Sequence, residues 1–512
     1  MSAVNMGGSG FKWVTLEELH DEMAPYRNTG VLADQFPGFT GLWCRFFVNL
    51  NTASQLNNVV FIAHGPEGCT AATRIFSTDY YIQHHGQGFP HLVSSGMTEN
   101  QVIMGGEKSL RDTIIEVDRE YQPSLIIVFT NCASGLAGDD VLSTTEQVQP
   151  QVKAKLLWIP SEGYASCWRG KSIEASIPRY VQLMEKPEKV LKDTVNILGM
   201  YRGRFSAKGN RRSGDQDTLE LVRYVEALGL KVHRVLLGGD YNYIRSAPQA
   251  AANILHFPTL GYPLALEMKK AFGTPYLPQA RPIGVEVTGR YIRDLGEFFN
   301  RREEAEKLIE QEFSSIRDIW EKTKTMVKGK VALIEGGFHT VTATAQALAT
   351  ARLVRELGME AYIFNLHPLE VCAKPLDIDY FLSDGCNPKF LNYSYGNEEI
   401  VTPEQVCGDL GLQEDEIVCF CSNLGLTAPR GKFDVSRVAM VDTSMGNRAL
   451  HGWEQGIGYR GTAANCKQIT DAIKAAARKN KPSIYGRIYG KFYEFEGMMA
   501  DAERYSRPAN IS

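Results

Sequence analysis

The sequence has no long hydrophobic run and little excess charge of either sign. No apolar stretch approaches the roughly 20 residues that a membrane-spanning helix needs, and the start MSAVNMGGSGFKW has neither the basic nor the apolar region of an export signal. The 55 basic and 59 acidic residues leave a net charge of -4, which does not favour nucleic acid or an anionic membrane as a partner. We therefore expect a cytoplasmic protein that binds neither nucleic acid nor membrane.

Cysteine is sparse, and its spacing lacks the close pairs of compact metal sites. The 10 cysteines are scattered over 512 residues, too thinly for the disulfide scaffold of a small secreted protein. Cys44, Cys69 and Cys132 form no Cys-X-X-Cys pair, which excludes a compact zinc knuckle. Such cysteines are by default buried apolar side chains, and only their place in the fold can mark one as a ligand.

Short apolar runs alternate with segments of helical periodicity. SLIIVFT and KVALIEG are typical of buried strands, whereas GGEKSLRDTIIEVDREY and TATAQALATARLVRELG are typical of helices. This alternation predicts an α/β chain with parallel sheets covered by helices, and the length suggests about three domains. We place them at residues 1–190, 191–325 and 326–485, because a charged segment and then a long polar helix precede new strands. Residues 486–512 are expected to form a tail.

Two cysteines stand where open α/β sheets bind ligands, beyond the carboxyl ends of strands. Cys69 ends the motif HGPEGC, between the apolar run NNVVFI and the helix start TAATRIF. Cys132 follows SLIIVFTN and precedes ASGLAGDD, which we interpret as a glycine-bearing loop. The positive end of a helix favours a thiolate and can lower the pKa of a cysteine well below its free value. Thiolates, unlike thiols, bind metals.

Cys44, in GFTGLWCRFF, also lies on a glycine-flanked segment. Three separated cysteines suit a larger cluster that the fold gathers from distant strand ends. Iron–sulfur clusters take thiolate ligands, commonly about four for a small cluster, so a partner chain could supply the remainder. The alternative is that all three are ordinary buried cysteines.

The motifs HGPEGC, SSGMTENQVIMGGEKSL and TNCASGLAGDDV, in this order, resemble the first domain of the nitrogenase component 1 superfamily. Weaker likenesses continue at PSEGY, RPIGVEVTGRYI and GIGYRGTAANC. The superfamily includes both subunits of the molybdenum–iron protein, its cofactor-assembly scaffold, and reductases that act on tetrapyrroles or methylthio-alkanes. The resemblance implies three Rossmann-like domains and an α2β2 heterotetramer with a homologous second subunit.

The resemblance also implies a role for the three cysteines. Cys44, Cys69 and Cys132 match those with which each chain of a pair holds half of the P-cluster at their interface. They are therefore expected to bind a P-cluster-like 8Fe-7S centre or a 4Fe-4S cluster. Electrons would arrive from an ATP-dependent iron protein.

The positions that hold the active-site cofactor in alpha-type chains differ here. Their cysteine follows a histidine, whereas this sequence has His256 and then Phe257, which cannot ligate iron. For their histidine, His451 in HGW keeps the residue, and Ile457 in IGYRG matches the neighbouring glycines but loses it. Either the chain is beta-type and holds no cofactor, or it is alpha-type with altered ligation. His451 is also a candidate catalytic proton donor.

Several other polar residues bear on metal or nucleotide binding. His64 is expected to hydrogen-bond within its loop and not to bind metal. ASCWRGKS lacks the glycine that a phosphate loop needs at Ala165, so ATP hydrolysis is assigned to a separate partner. Replacement ligands for a cofactor could come from Cys372, Cys386, Cys407, Cys419 and Cys421, although strand alternation would point Cys419 and Cys421 to one face and both could be core residues. The residues that could lie beside the cluster without binding it are Ser161, Ser166 and Cys167.

Two functions follow from the resemblance. In the first, the chain is a subunit of a nitrogenase-like reductase acting on a small molecule, and Phe257 favours the C–S bond of a methylthio-alkane over dinitrogen. In the second, it is a scaffold on which a nitrogenase-type cofactor is assembled and passed on.

Overall fold

The computed structural model describes residues 12–23, 44–74, 91–165, 172, 176–199, 216–256, 258–335, 343–364, 387–391, 403–421, 438–442 and 456–477. The strands in these ranges are β1 (Trp13–Thr15), β2 (Val59–His64), β3 (His91–Ser94), β4 (Leu125–Thr130), β5 (Lys155–Ile159), β6 (Leu191–Leu198), β7 (Lys231–Leu236), β8 (Ala250–Leu255), β9 (Val331–Glu335), β10 (Glu360–Phe364), β11 (Lys389–Leu391), β12 (Ile417–Cys421) and β13 (Ala439–Asp442).

The helices cover the sheets and connect their strands. They are α1 (Leu16–Met23), α2 (Arg45–Ala53), α3 (67–74), α4 (Glu99–Met104), α5 (Glu107–Tyr121), α6 (Cys132–Ala137), α7 (Val141–Val148), α8 (Gln216–Ala227), α9 (Tyr241–Arg245), α10 (Pro258–Phe272), α11 (Val285–Phe298), α12 (Arg302–Val327), α13 (Ala343–Glu356), α14 (Pro403–Leu410) and α15 (Gly458–Ala477). Among these helices, none is long and apolar enough to cross a membrane.

The strands form three sheets, as the alternating sequence pattern predicts. The first has the order β3-β2-β4-β5, the second β7-β6-β8 and the third β1-β11-β10-β9-β12-β13. All pairings are parallel apart from that of β1 with β11. Every residue of β2 and β4 is buried, because helices cover both faces of a parallel sheet and its strands are apolar throughout.

The predicted domain ranges stay predictions, but the sheets can be compared with them. Strands β2 to β5 lie within 1–190 and β6 to β8 within 191–325. Strands β9 to β13 lie within 326–485, but the third sheet also takes β1 from the start of the chain. Residues 486–512 lie outside the described part of the structure.

The long polar helix predicted before the last strand restart is α12. It spans 26 residues, and its buried residues include Ala305, Ile316, Trp320 and Val327. This one apolar stripe on an otherwise charged helix packs into the core that also holds β9.

The register of the first sheet fixes the place of the candidate site. β2 and β4 pair from Val59 with Leu125 to His64 with Thr130, so both strands end at the same level. β5 runs parallel beside β4. The segments that follow these three strands therefore leave from one edge of the sheet, where α/β proteins bind their ligands.

Candidate metal centre

Each of the three predicted cysteines lies at the start of a helix. Cys44 directly precedes α2, and its carbonyl oxygen accepts a hydrogen bond of 3.0 Å from the Val48 amide. Cys69 lies in the first turn of α3, and Cys132 is the first residue of α6. The positive ends of three helices therefore meet the segments that carry the thiols, an environment that suits bound anionic sulfur.

The fold brings the three thiols together beside Gly163. A β-carbon built on Gly163 would lie 3.1 Å from Cys132 Sγ, 3.3 Å from Cys44 Cβ and 3.8 Å from Cys44 Sγ. The Cys69 thiol lies close enough to these two for each of them to raise its pKa. Cys44 is half-buried, whereas Cys69 and Cys132 are exposed, so the group opens to the surface.

The lowered pKa predicted for a cysteine at a helix start is wrong for Cys69. Partial burial of the Cys69 sulfur raises the pKa of this thiol although the residue as a whole is exposed, and the neighbouring Cys44 and Cys132 thiols raise it further. Like charges at one site disfavour ionisation of each group, and burial disfavours the charged form as well. Ionisation of this thiol therefore has to come with the binding of a positively charged partner.

Three thiols are a donor set of the kind that iron–sulfur clusters take. Within the described ranges, no three His, Cys, Asp or Glu side chains are placed to hold one metal ion. Cysteines that bind different irons of a cluster need not meet at one point. The site has three thiols, a glycine without a side chain between two of them, and an open face. These features suit a cluster that a second chain completes.

The loop that carries Gly163 is fixed by a buried hydrogen-bond chain that the sequence did not reveal. The Ser161 hydroxyl donates to the Ile159 carbonyl (2.9 Å) and accepts from Asn49 Nδ2 (2.9 Å). The Ser161 amide donates to Thr130 Oγ1 (2.9 Å), and that hydroxyl donates to Glu162 Oε1 (2.5 Å). Ser161, predicted to lie beside the cluster, thus anchors the loop. Ser166 and Cys167 lie outside the described residues.

The segment after Cys132 is not the predicted loop, because its first half is helix α6. Asn131 Oδ1 accepts from the amides of Ala133 (2.9 Å) and Ser134 (3.2 Å), and Ser134 Oγ accepts from the Asn131 amide (3.1 Å). This reciprocal capping box begins the helix. The signal was present as an asparagine followed three residues later by serine, directly after a strand.

His64 makes the hydrogen bonds expected of it. Its ring lies 2.9 Å from Ser95 Oγ through Nδ1 and 2.8 Å from Asp139 Oδ2 through Nε2. Burial lowers the pKa of His64, an effect that Asp139 partly offsets.

Some residues considered for a second cofactor lie in the described core. His256 is fully buried, and burial together with nearby Arg281 lowers its pKa to about 3, against the opposing effect of Asp217. Ile457 is buried as well, and the preceding Gly456 amide donates to Asp217 Oδ1 at 2.6 Å. Both positions thus lie beside a buried Arg281–Asp217 ion pair with an N–O distance of 2.5 Å.

Of the remaining candidate cofactor ligands, two lie in the core and the side chains of the others lie outside the described part of the structure. Cys407 and Cys419 are buried in the apolar cluster beside β12, which favours a packing role. The residues Phe257, His451, Cys372 and Cys386, and the side chain of Cys421, lie outside the described part of the structure.

A group of exposed apolar side chains, here called the apolar rim, borders Cys132. It comprises Ile103 (79% exposed) and Met104 (83%) at the end of α4, Leu136 (76%) on α6, and Tyr164 (53%). Tyr164 lies against α6, because a β-carbon built on Gly135 would be 2.7 Å from its hydroxyl. Clustered exposed apolar side chains mark surfaces that bind other proteins.

Comparison with known proteins agrees with this geometry. A family model described as nitrogenase component 1 type oxidoreductase matches residues 44–366. The nitrogenase iron-molybdenum cofactor biosynthesis protein NifE of Methanococcus maripaludis is 28% identical over 314 residues, which are 60% of this chain and 61% of that protein. The nitrogenase molybdenum-iron protein alpha chain of Methanosarcina barkeri is 26% identical over 353 residues, 67% of this chain and 61% of that protein. The chain thus spans about three fifths of the length of these relatives.

A solved structure named "Nitrogenase Cp1 at pH 6.5" superposes with a TM-score of 0.64 at 17% identity, over 86% of this chain and 93% of that chain. At this identity the likeness shows the fold alone, and it confirms the predicted α/β architecture of nitrogenase component 1 type. The family model covers more than half of the 512 residues and includes all three cysteines. The chain therefore belongs to the family of nitrogenase component 1 type oxidoreductases.

Proposed function

We propose that the chain is a subunit of a nitrogenase-like iron–sulfur reductase in which Cys44, Cys69 and Cys132 hold an interfacial cluster. The observation that carries the proposal is the convergence of these three thiols at an open face beside Gly163. The cluster, P-cluster-like 8Fe-7S or 4Fe-4S, would supply one-electron storage and transfer.

Residues of this chain other than the cysteines shape the candidate cluster site. Three helix starts direct partial positive charge at the sulfurs, and the Ser161–Thr130–Glu162 chain holds the loop whose glycine leaves them room. Because Cys69 and Cys132 are exposed, a homologous second subunit can reach the same cluster, and two such pairs would form the α2β2 heterotetramer that the resemblance implies. We assign the apolar rim beside this site to the docking of an ATP-dependent iron protein.

The finer assignment of the reaction rests on the cofactor positions. Phe257 stands where alpha-type chains have a cysteine ligand, which favours a small substrate such as a methylthio-alkane, cleaved at its C–S bond, over dinitrogen. A second function, as a scaffold for cofactor assembly, is supported by the similarity to proteins named NifE. A nitrogenase-type active-site cofactor would then lie in this chain or in its partner.

The cluster assignment is tested by the iron content of the complex. The chain, co-expressed with its second subunit, is purified anaerobically, and iron per complex is measured with an electron paramagnetic resonance spectrum. Cys69→Ala and Cys132→Ala should each lose most of the iron and pair less tightly with the second subunit, because the bound cluster joins the chains. Cys407→Ala, in the core of the third sheet, is the matched control. Full iron in both site variants would refute the assignment.

Reductase and scaffold are separated by turnover and metal transfer. A reductase supplied with the iron protein, ATP and dithionite as the electron donor should cleave the C–S bond of a methylthio-alkane with two electrons and two protons, giving a thiol and an alkane. A scaffold should show no turnover and should pass metal to an acceptor protein. Robust reduction of dinitrogen or acetylene would contradict the preference for the C–S bond.

A further inference from the structure

A buried histidine–aspartate pair joins the end of β2, which leads to Cys69, with the segment after α6, the helix that starts at Cys132. His64 and Asp139 are joined by a contact of 2.8 Å between Nε2 and Oδ2, and their side chains are 0% and 1% exposed. Because burial favours the neutral ring, Nε2–H donates to Asp139 and Nδ1 accepts the hydroxyl hydrogen of Ser95, 2.9 Å away. Every polar atom of the ring then has a partner.

The pair connects the segments that carry Cys69 and Cys132. His64 is the last residue of β2, from which the chain continues through Gly65 to Cys69. Its carbonyl oxygen accepts from the Asn131 amide (3.3 Å) and from Ser134 Oγ (2.8 Å), both at the start of α6.

Asp139 contacts His64 from the segment that follows the C-terminal end of α6. It follows Gly138, which ends that helix in a left-handed conformation. Its second oxygen accepts from the Gly106 amide at 2.9 Å, at the start of α5. A buried carboxylate is costly unless it is paired and hydrogen-bonded, and here two donors from different elements fix its place. Shifting α6 relative to β2 would break these contacts together.

We propose that His64 and Asp139 are a positioning pair that sets the separation of the Cys69 and Cys132 thiols. The pair does not touch the metal; it holds β2 and α6 in the one arrangement in which both sulfurs can bind the same cluster. This inference rests on the proposed function, because the separation of the two thiols matters for function only if both bind one cluster. The separation of the two thiols is measurable without a cluster.

The test measures that separation by chemical bridging. The full-length chain is freed of iron with a chelator and treated with dibromobimane, which fluoresces when it bridges two thiols, and the bridged peptides are identified by mass spectrometry. His64→Leu removes both ring contacts, whereas His64→Gln keeps a donor for Asp139. The Cys69–Cys132 bridge should form about ten-fold more slowly in the leucine variant, because proximity-controlled reactions respond strongly to a misplacement of about 1 Å. The glutamine variant should restore most of the rate.

Asp139→Asn provides a second route if the leucine variant does not fold. It keeps the shape but removes the charge that the His64 N–H faces, and it should also slow bridging. Asp140→Asn is its control, since the neighbouring exposed Asp140 caps α7 through the Ser143 amide, and asparagine caps equally well. In the assembled complex, affinity for iron should fall about 10- to 100-fold, as for other residues that orient metal ligands.

The outcomes of the two proposals can be told apart. If wild-type complex binds no iron, the proposed function fails, while the bridging rates still decide the role of the pair. Bridging at the wild-type rate in His64→Leu, or in Asp139→Asn if only that variant folds, would show that the pair is merely part of the core and would overturn the inference.

Discussion

At the scale of single residues, the candidate site depends on Gly163, which has no β-carbon. Gly163 packs beside the thiols of Cys132 and Cys44, and a β-carbon there would be 3.1 Å from Cys132 Sγ and 3.3 Å from Cys44 Cβ. Both distances are shorter than an ordinary van der Waals contact between such atoms. A side chain here would require a neighbouring atom of Cys132 or Cys44 to shift by a few tenths of an ångström.

Gly163→Ala should therefore displace at least one thiol. Overpacking of this kind costs about 1–3 kcal/mol, so the chain should still fold while the complex loses iron. Iron per complex after anaerobic purification is the measurement. Gly408→Ala is the control, because a β-carbon on Gly408 would meet no atom within 4 Å. An alanine variant with the full complement of iron would contradict this account of the site.

The residues of the site were predictable to different extents. Cys69 and Cys132 are indicated by their place after apolar runs and Cys44 by the family resemblance; the structure places the three near one another, and their role as ligands stays a prediction. The direction of the Cys69 pKa could not be predicted, because it depends on burial and on two thiols from distant segments. The same holds for Ser161, whose partners come from α2, β4 and the end of β5.

At the scale of elements, the starts of helices show where local sequence is sufficient. The cap of α6 is local, with Asn131 and Ser134 adjacent to Cys132, and could have been found. The cap of α11 is not, since Glu356 accepts from the amides of Val285 (2.6 Å), Glu286 (3.1 Å) and Val287 (3.3 Å) from the end of α13. The first of these contacts joins residues 71 positions apart.

Glu356 should make stability depend on pH. Burial raises its pKa from 4.5 to about 7, despite the three amides that lower it, and this shift corresponds to about 3 kcal/mol. Below about pH 4.5 the carboxyl is protonated in both states and its contribution is complete. As the pH rises towards and through 7, the unfolded chain releases the proton more readily, so the free energy of unfolding falls.

Glu356→Gln should remove this dependence, because the amide stays neutral at every pH. The free energy of unfolding, measured in urea between pH 4.5 and 8, should therefore fall by about 3 kcal/mol more in the wild type than in the variant. Parallel profiles for the two proteins would show that Glu356 titrates normally. Gly284 before the capped helix must stay unchanged, since a β-carbon on it would lie 2.5 Å from Glu356 Oε1.

At the scale of the whole molecule, the architecture was the most predictable feature. The alternation of apolar runs with amphipathic segments is a repeated signal, and it correctly predicts parallel sheets covered by helices. The exception is β1, which pairs antiparallel with β11 and joins a sheet whose other strands come from beyond residue 330. A three-residue edge strand has no periodicity of its own, so its partner cannot be found from sequence.

The apolar rim gives a prediction for the assembled protein. Met104→Glu and Ile103→Glu place a charge on side chains that are 83% and 79% exposed, so the chain should fold, bind iron and pair with its second subunit as before. Docking of the iron protein should weaken at least about ten-fold, equivalent to about 1.4 kcal/mol. The measurement is the concentration of iron protein that gives half-maximal electron transfer.

Val190→Glu is the matched control, since Val190 is also exposed (51%) but does not belong to the rim. It should leave electron transfer unchanged. If the rim variants instead lose the second subunit and keep their response to the iron protein, the rim has been assigned to the wrong partner.

The position of β1 has a consequence for how the chain is made. The Leu16 amide, next to β1, donates to Asn387 Oδ1 at 2.9 Å across 371 residues of sequence. Ribosomes add about 5–20 residues each second, so β1 emerges roughly 20 to 75 s before its neighbouring strand exists. Strand β1 is thus placed long after it is made, and the third sheet is completed only once β11, β12 and β13 have been translated.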